Sequence, residues 1–225
     1  MGSLKFPHTS GNSMSIAAPA TNPASDLELK LPATVGTANQ ALKNSSTPGT
    51  LEFGSLSGIK QIVQTTYDQT TSNSTATETL WDLSGTIKRD ITTTSNSSKV
   101  LVFMNISLGI EEAVGSDVAV QLTRQDGGSG SFDLIAGANG ATAGNRIRVH
   151  TMCNVGNDPN HTWRGSAATV CYLDAPGNAG TYSYSFKLCH SISSTETLYI
   201  NRTHDDTDAA WTQRGLTNII CAEFY

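Results

Sequence analysis

After residue 58 the chain alternates short apolar segments with turn signals, and this alternation predicts β-strands. In the segment Thr181–His190, for example, Tyr182, Tyr184, Phe186 and Leu188 occupy every second position. A period of two residues places one face of a strand against a core and the other toward solvent. No ten-residue segment repeats its apolar residues with the 3.6-residue period of a helix. The pattern therefore predicts an all-β fold.

Eleven strands are predicted, and glycine, proline, asparagine and aspartate cluster between them, as they do in turns. Short strands at this spacing are typical of a sandwich of two antiparallel sheets. The predicted strands are Ile59–Tyr67, Glu78–Leu83, Thr86–Thr93, Lys99–Ile110, Val118–Arg124, Ser131–Ile135, Arg146–Cys153, Ser166–Leu173, Thr181–Ser191, Thr197–Asn201 and Leu216–Tyr225.

Two segments, Val100–Met104 and Ile219–Ala222, are apolar on both faces. A strand buried on both faces in an antiparallel sandwich needs a second cover. In a domain predicted to have no helices, the simplest cover is another subunit. The predicted subunit-interface residues are Leu101, Phe103, Ile220, Ala222, Phe224 and Tyr225.

The N-terminal part of the chain has a different character. Five of the seven prolines lie in residues 1–53, and proline at this density excludes a long helix or a central strand. Short extended pieces are predicted at Met14–Ile16, Leu27–Leu31 and Thr50–Phe53. The glycines of Gly54–Gly58 mark the boundary. We therefore predict an extended arm over residues 1–58, which cannot bury enough surface to fold alone, and a β-sandwich over residues 59–225.

Composition and charge narrow the possible functions. Charged residues make up only 15% of the chain and apolar residues 37%, which argues against helical bundles and doubly wound enzymes. The net charge is −5 and there is no run of lysine or arginine, so no nucleic-acid partner is expected. No segment approaches the roughly 20 apolar residues of a membrane span. The first residues lack the apolar centre of a secretory signal.

The four cysteines are Cys153, Cys171, Cys189 and Cys221, and no two of them form a C-x-x-C pair. In a reducing cytosol they remain thiols, and free cysteine behaves as a small apolar residue. All four are predicted to be buried and unpaired.

No catalytic motif is present. Gly54–Gly58 has Leu56 where a nucleophile elbow needs serine, and no phosphate-binding loop, dinucleotide fingerprint or zinc-protease motif occurs. Glu111 and Glu112 are adjacent, so on a strand they point to opposite faces and cannot serve one site. The chain is predicted to be neither an enzyme nor a cofactor-binding protein.

Two polar loops are candidates for contact with a receptor, which could be a glycan or a protein. One surrounds residues 154–163, and it could instead be an ordinary connection between two strands. The other surrounds residues 204–214, and its simplest interpretation is a solvated hairpin tip. Its carboxylates also suggest a Ca²⁺ site, although the loop lacks the glycine and the distal glutamate of an EF-hand. The candidate contact residues are Asn160, His161, Trp163, His204, Asp205, Asp206, Asp208 and Trp211.

Several short motifs, in their order along the chain, resemble those of bacteriophage fibre proteins. Residues 59–225 resemble the jelly-roll knobs at the ends of phage fibres, which are similar in shape to tumour-necrosis-factor and C1q heads. These motifs are Ser98-Lys-Val-Leu-Val102, Tyr172-Leu-Asp-Ala-Pro176, Thr181-Tyr-Ser-Tyr184, Leu198-Tyr-Ile-Asn-Arg202 and Arg214-Gly-Leu-Thr-Asn-Ile219, followed by Glu223. The arm resembles attachment modules of marine phages through Ala18-Pro-Ala-Thr-Asn-Pro23, Leu29-Lys-Leu-Pro-Ala-Thr34 and Gly36-Thr-Ala-Asn-Gln40.

The resemblance implies a homotrimeric fibre or spike protein on the virion surface, assembled in the host cytoplasm. Its arm would bind other virion proteins, and its knob would face the host, as in a tail fibre or receptor-binding protein. Two alternatives remain open. One is a fibre or decoration protein on the capsid surface, and the other is a secreted carbohydrate-binding sandwich.

Overall fold

The computed structural model describes residues 3–7, 11, 13–17, 28–37, 40–55, 58–111, 117–155, 165–210 and 212–224. These residues form sixteen β-strands and no helix. The chain divides into two compact units, residues 1–56 and 57–225.

The described residues of the first unit include two β-hairpins and an isolated parallel bridge between Lys30 and Thr50. Strand β1 (Ser3–Pro7) pairs with β2 (Ser13–Ala17), and β3 (Gln40–Asn44) pairs with β4 (Leu51–Ser55), both antiparallel. Among the residues of this unit whose side chains are described, none is buried. Leu29 and Leu31 are 62% and 72% exposed. The described part of this unit therefore has no hydrophobic core of its own.

The second unit contains twelve strands, all paired antiparallel. They are β5 (Ile59–Tyr67), β6 (Thr71–Thr75), β7 (Trp81–Asp82), β8 (Arg89–Thr93), β9 (Lys99–Ile110), β10 (Asp117–Asp126), β11 (Asp133–Leu134), β12 (Thr151–Asn154), β13 (Ser166–Asp174), β14 (Gly180–His190), β15 (Glu196–Ile200) and β16 (Thr217–Phe224).

Eight of these strands form a jelly roll. One sheet has the order β5-β16-β9-β13 and the other has the order β8-β14-β10-β12. Numbered in chain order, these are strands 1-8-3-6 and 2-7-4-5, which is the double Greek key of a jelly roll. The first sheet is extended by β15 and β6, and the second by β7 and β11. The predicted antiparallel jelly-roll sandwich is confirmed.

The core lies between the two sheets and follows the predicted alternation on β9. The expectation that one face of β14 meets solvent is wrong, because Ser183 and Ser185 are buried as well. Val102 and Met104 on β9, and Tyr184 and Phe186 on β14, are fully buried. Fully burying one such side chain stabilises the fold by about 1.5–3 kcal/mol. On the opposite face of β9, Phe103 remains 38% exposed in the described structure.

The predicted strand Arg146–Cys153 is wrong over its first half, because only Thr151–Asn154 is a strand. Arg148 does not line a sheet face. Its guanidinium donates hydrogen bonds to the carbonyl oxygens of Gly140 and Ala136, both at 2.5 Å. The alternation of arginine with apolar residues over 146–149 therefore belongs to a loop in which Arg148 bonds to backbone carbonyl groups of the same loop.

The turn after β7 shortens two other predicted strands. Of the predicted strand Glu78–Leu83, only Trp81–Asp82 is a strand, and of Thr86–Thr93 only Arg89–Thr93 is one. The chain turns between them, because the amides of Thr86 and Ile87 donate hydrogen bonds to the carbonyl oxygen of Leu83. Strand β6 was not predicted, since its sequence, TSNST, contains no apolar residue.

The prediction of four buried cysteines is wrong in part. All four are free thiols, but Cys171 is exposed and Cys153 is only half-buried. Cys171 points away from the core because it occupies an outward position of β13, in register with Phe103. Cys189 and Cys221 are buried as predicted.

Candidate interaction surfaces

The outer face of the β5-β16-β9-β13 sheet carries the residues predicted to form a subunit interface. The strand register arranges this face in rows that cross all four strands. One row is Ile62, Ala222, Leu101 and Leu173, and the next is Gln64, Ile220, Phe103 and Cys171. Beyond the first row, Phe224 pairs with Ile59 across a β-bulge.

These rows form a continuous and largely apolar surface, hereafter the apolar face. Ile59, Ile62 and Leu173 are 56%, 60% and 48% exposed. With strands about 4.8 Å apart and a rise of about 3.4 Å per residue, these two rows on four strands and the adjoining Phe224–Ile59 pair cover roughly 300 Å² of sheet. Apolar patches of this size on soluble proteins are often interaction sites.

A third row, hereafter the polar row, borders the apolar face and consists of Thr66, Asn218, Asn105 and Thr169. The side chain of Asn218 is half-exposed, but its Oδ1 atom is buried and has no hydrogen-bond partner in the described structure. Leaving such an acceptor unpaired costs about 1–3 kcal/mol. None of the twelve positions in the three rows carries a charge, although Lys99 lies at the margin beside Phe224.

Sequence reasoning identified only part of this surface. It selected Leu101, Phe103, Ile220, Ala222 and Phe224, and the structure places all five on the apolar face. Ala222 is nearly covered by its neighbours, with 6% exposure. The contributions of Ile62, Cys171, Leu173 and Asn218 were missed, because a single sequence does not reveal the register between distant strands.

The second candidate surface is the loop that joins β15 to β16. Its base is closed by an isolated antiparallel bridge between Arg202 and Arg214. The amide of Gly215 also donates to the carbonyl oxygen of Asn201 at 3.0 Å. Asn201 is fully buried and has a φ of 62°, so it turns the chain out of β15.

Asp206 is held by arginines at the centre of this loop. Arg214 donates to it through two nitrogens, with Nε–Oδ1 at 3.1 Å and Nη2–Oδ2 at 2.8 Å. Arg202 lies 4.0 Å from the same carboxylate. Such a bidentate contact fixes the relative orientation of the two side chains in addition to pairing their charges. Asp206 therefore shapes the loop, while the side chain of Arg214 remains 63% exposed.

Tyr199 supports the loop from beneath. The ring of His204 stacks on Tyr199 with centroids 5.7 Å apart, and the guanidinium of Arg202 lies 4.1 Å from the centroid of Tyr199. Burial raises the pKa of Tyr199, and the carboxylate of Glu111 raises it further. The phenol therefore stays neutral and serves as a packing platform for His204 and Arg202.

A groove of about 340 Å³ runs beside this loop. Ser107, Ser166, Arg202 and Arg214 are among the residues that line it. Its polar walls and exposed arginine offer hydrogen-bond donors to a ligand or partner. Asp208 is also exposed, whereas His204 and Asp205 are half-buried.

Within the described residues, no group of three or more histidine, cysteine or acidic side chains is placed to hold a metal ion. The other receptor-contact candidates, Asn160, His161, Trp163 and Trp211, lie outside the described residues, as does Tyr225 of the predicted interface. No helix within the described part of the chain is long and apolar enough to cross a membrane.

No protein-family model matches the chain, and no curated protein matches it either. Among solved structures, it is similar to infectious bursal disease virus of the Gx strain, with 8% identity over 82% of this chain and a TM-score of 0.39. It is also similar to the VP2 subviral particle of infectious bursal disease virus, with 12% identity over 82% of this chain and a TM-score of 0.34. This chain spans 41% and 42% of the length of those chains.

Proposed function

We propose that this chain is a structural protein of a bacteriophage virion, a fibre or spike whose residues 59–225 form a homotrimeric knob. The N-terminal arm anchors the trimer to other virion proteins, and the knob faces the host surface. The proposal includes no catalytic activity. It rests on the order of phage-like motifs along the chain and, above all, on the apolar face.

The apolar face supports association because it exposes the large side chains of Ile62, Phe103 and Leu173 in the described structure. Phe103 and Ile220 lie side by side at its centre, and Leu101 adjoins them in the next row. Burying such side chains against a neighbour removes apolar area from water at about 25 cal/mol per Å². A cyclic trimer repeats the same contact three times and closes without leaving a free face.

The arm supports anchoring because its described part has apolar side chains but no core. Leu29, Leu31 and Val35 are all more than half exposed. Three arms joined to one knob would be held at high local concentration, which favours their docking on a particle.

The oligomeric state is tested first. Size-exclusion chromatography with light scattering should give three times the chain mass of 23.8 kDa. A stable monomer would contradict the trimeric knob. Electron microscopy of the particle with this protein labelled then tests its location. Label on the tail agrees with a tail fibre, and label on the capsid favours a head fibre or decoration protein.

The receptor role is tested by competition for adsorption of the phage to host cells. Purified knob should slow adsorption, and replacing Asp208 by Ala should weaken this competition. Asp133→Ala, which changes an exposed aspartate on the short strand β11, serves as the control. If the knob does not compete at all, it is not the host-binding part of the particle.

A further inference from the structure

We infer that the groove beside the β15–β16 loop, hereafter the arginine groove, binds the carboxylate of an acidic sugar through Arg214. This inference rests on the proposed host-binding role of the knob, because it names the chemical class of receptor that one surface would recognise. The groove has a volume of about 340 Å³. Small-molecule sites commonly measure about 300–1,000 Å³, so the groove suits a small group such as a single sugar unit.

The arginine groove lies at the end of the outer sheet face, beyond the polar row. Ser107 is the next outward position of β9 after Asn105, and it is in register with Ala167 on β13. Both Ser107 and Ala167 line the groove. Phe103, at the centre of the apolar face, lies four residues before Ser107, which is about 14 Å along the strand. The groove is therefore a surface separate from the apolar face.

The charges that line the arginine groove favour an anion. Within the described structure, Arg202 and Arg214 are the only charged residues of its lining. Asp206 and Asp208 instead line a different cleft, which shares Arg214 with the groove, and Asp205 lines neither. A ligand in the groove therefore meets positive charge, and a site lined by one sign of charge attracts the opposite sign.

Arg214 is held by Asp206 in a way that leaves part of its guanidinium for a ligand. A guanidinium has five N–H groups. The contact with Asp206 uses one on Nε and one on Nη2, which lie on the same edge of the planar group. The two N–H groups of Nη1 and the second one of Nη2 remain, and two parallel N–H groups match the two oxygens of a carboxylate. Because Asp206 already fixes the side chain, less conformational entropy is lost on binding.

The rest of the lining suits a sugar better than a peptide. Ser107, Ser166 and Gln213 contribute hydroxyl and amide groups, which donate and accept hydrogen bonds as sugar hydroxyls do. Protein partners are usually anchored by large apolar or aromatic side chains in apolar pockets. The described lining contains no aromatic residue, and its largest aliphatic side chain, Leu108, is only 1% exposed. An acidic sugar therefore fits the arginine groove better than an acidic peptide does.

Gly215 keeps the Ser107 hydroxyl at the wall of the groove. A Cβ atom on residue 215 would collide with Oγ and Cβ of Ser107, so a larger residue would displace the hydroxyl. The amide of Gly215 donates to the carbonyl oxygen of Asn201 at 3.0 Å, which holds the backbone in this position. The Ser107 hydroxyl thus lies against the residue that follows Arg214, and the two side chains line one groove.

Ligand-observed NMR titration of the full chain tests the inference, with D-glucuronate as the probe. D-glucose is the neutral match, and acetate and inorganic phosphate are anions without a sugar ring. We expect glucuronate to bind at least tenfold more tightly than each of the other three. Added salt should weaken the binding of glucuronate, because it screens the charge of an exposed arginine.

Three variants, with folding checked by circular dichroism, assign the binding to the groove. Arg214→Gln should lower the affinity for glucuronate at least tenfold, whereas Arg146→Gln, at an exposed arginine of another loop, is the matched control and should leave it unchanged. Asp206→Asn removes the competing carboxylate but keeps the side-chain size, so the affinity should stay equal or rise. Ser107→Ala should lower the affinity about threefold, since it removes one neutral hydrogen bond.

Unchanged affinity in Arg214→Gln or in Ser107→Ala would overturn the inference. Loss of binding in Asp206→Asn would also overturn it, because the shape of the loop and not the charge of Arg214 would then be decisive. Acetate or phosphate that binds as tightly as glucuronate would exclude the sugar. A knob that slows phage adsorption but does not bind glucuronate would overturn the inference and leave the host-binding role intact. A knob that binds glucuronate without slowing adsorption would instead refute the host-binding role on which the inference rests.

Discussion

Ser98 and Glu223 are joined by a buried hydrogen bond of 2.7 Å between Oγ of Ser98 and Oε1 of Glu223. The same oxygen accepts from the amide of Thr94 at 2.8 Å, and Oε2 accepts from Nε2 of Gln61 at 2.8 Å. Glu223 lies on β16, whereas Thr94 and Ser98 belong to the connection between β8 and β9. Because β8 and β9 lie in different sheets, the carboxylate of Glu223 holds in place the connection that joins the two sheets of the sandwich.

The first prediction concerns the pH dependence of stability. Burial alone would raise the pKa of Glu223, but the hydrogen bonds outweigh it and hold the pKa below its ordinary value of 4.5. A carboxylate with a lowered pKa in the folded state stabilises the fold above the unfolded pKa, and this contribution is lost as the pH falls through the folded pKa. Stability should therefore decline below pH 4.5.

Glu223→Gln tests this assignment, because an amide turns one acceptor into a donor that faces other donors. We expect the free energy of unfolding to fall by about 1–3 kcal/mol at pH 7. The difference from the unchanged protein should shrink below pH 4.5. Urea unfolding at a fixed protein concentration measures both effects, with Glu78→Gln, at an exposed position, as the control. An unchanged pH profile in the variant would assign the acid sensitivity elsewhere.

The second prediction concerns Asn201, at the start of the β15–β16 loop. Its Nδ2 donates to the carbonyl oxygens of Tyr67 and Gln69 at 2.6 and 2.9 Å, and its Oδ1 accepts from Thr217 at 2.7 Å. Its backbone is also in the left-handed region, with a φ of 62°. Asn201 thus combines a left-handed backbone conformation with a side chain whose amide nitrogen and oxygen are both hydrogen-bonded.

Asn201→Ala should lower the free energy of unfolding by about 2–4 kcal/mol, since it leaves buried partners unpaired and places alanine where φ is positive. Asn201→Gly removes the same hydrogen bonds but tolerates the backbone, so it should be about 1 kcal/mol less harmful. Chemical denaturation of the two variants gives the comparison. Equal losses would show that the hydrogen bonds, and not the backbone conformation, dominate at this site.

The sequence alone predicted the strands whose own residues alternate between apolar and polar types. β9 alternates core and outward positions, and β14 alternates apolar and small polar residues, so their existence follows from local spacing. A strand without apolar residues gives no such pattern, as in β6, which lies at the edge of its sheet. The prediction also failed at Arg148, because nothing local distinguishes an arginine on a strand from one that binds its own loop.

The candidate surfaces were predictable only in outline, for a related reason. Phe103 and Ile220 stand out as apolar residues on the second face of their strands. Their contact with each other, and with Cys171, depends on pairings between segments far apart in the chain. In the same way, the carboxylates of residues 205–208 suggested a cation, whereas the structure pairs Asp206 with Arg214, which comes eight residues later.

The third prediction uses Cys171 as a reporter of the proposed interface. Within one chain this thiol is exposed, whereas burial raises the pKa of Cys189 to about 11 and that of Cys221 to about 12. Reactivity requires the thiolate and access to solvent, so a monomer would be alkylated fastest at Cys171. In the trimer, neighbouring subunits should cover Cys171 and slow its alkylation at least tenfold.

Phe103→Glu provides the contrast, because a charge at the centre of the apolar face should separate the subunits. Phe103 is already 38% exposed in the single chain, so the fold should tolerate the change. Mass spectrometry after timed alkylation at pH 8 should show fast labelling of Cys171 in this variant only. Equally fast labelling in the unchanged protein would mean that the outer face of β13 is free in the assembly.

The final prediction concerns the division of labour between the two units. The described part of the first unit has no buried side chain, whereas the second unit contains the whole described core. A chain that starts at Ile59 should therefore remain soluble and trimeric, with an unfolding free energy per subunit within about 1 kcal/mol of that of the full protein, because no packed core is removed. In infected cells this truncated knob should accumulate but be missing from purified virions, since the arm supplies the attachment. Quantitative mass spectrometry of the particles measures its copy number, and the full-length chain expressed in the same way is the control. Incorporation of the truncated knob at the normal copy number would place the anchor in residues 59–225 and refute the proposed role of the arm.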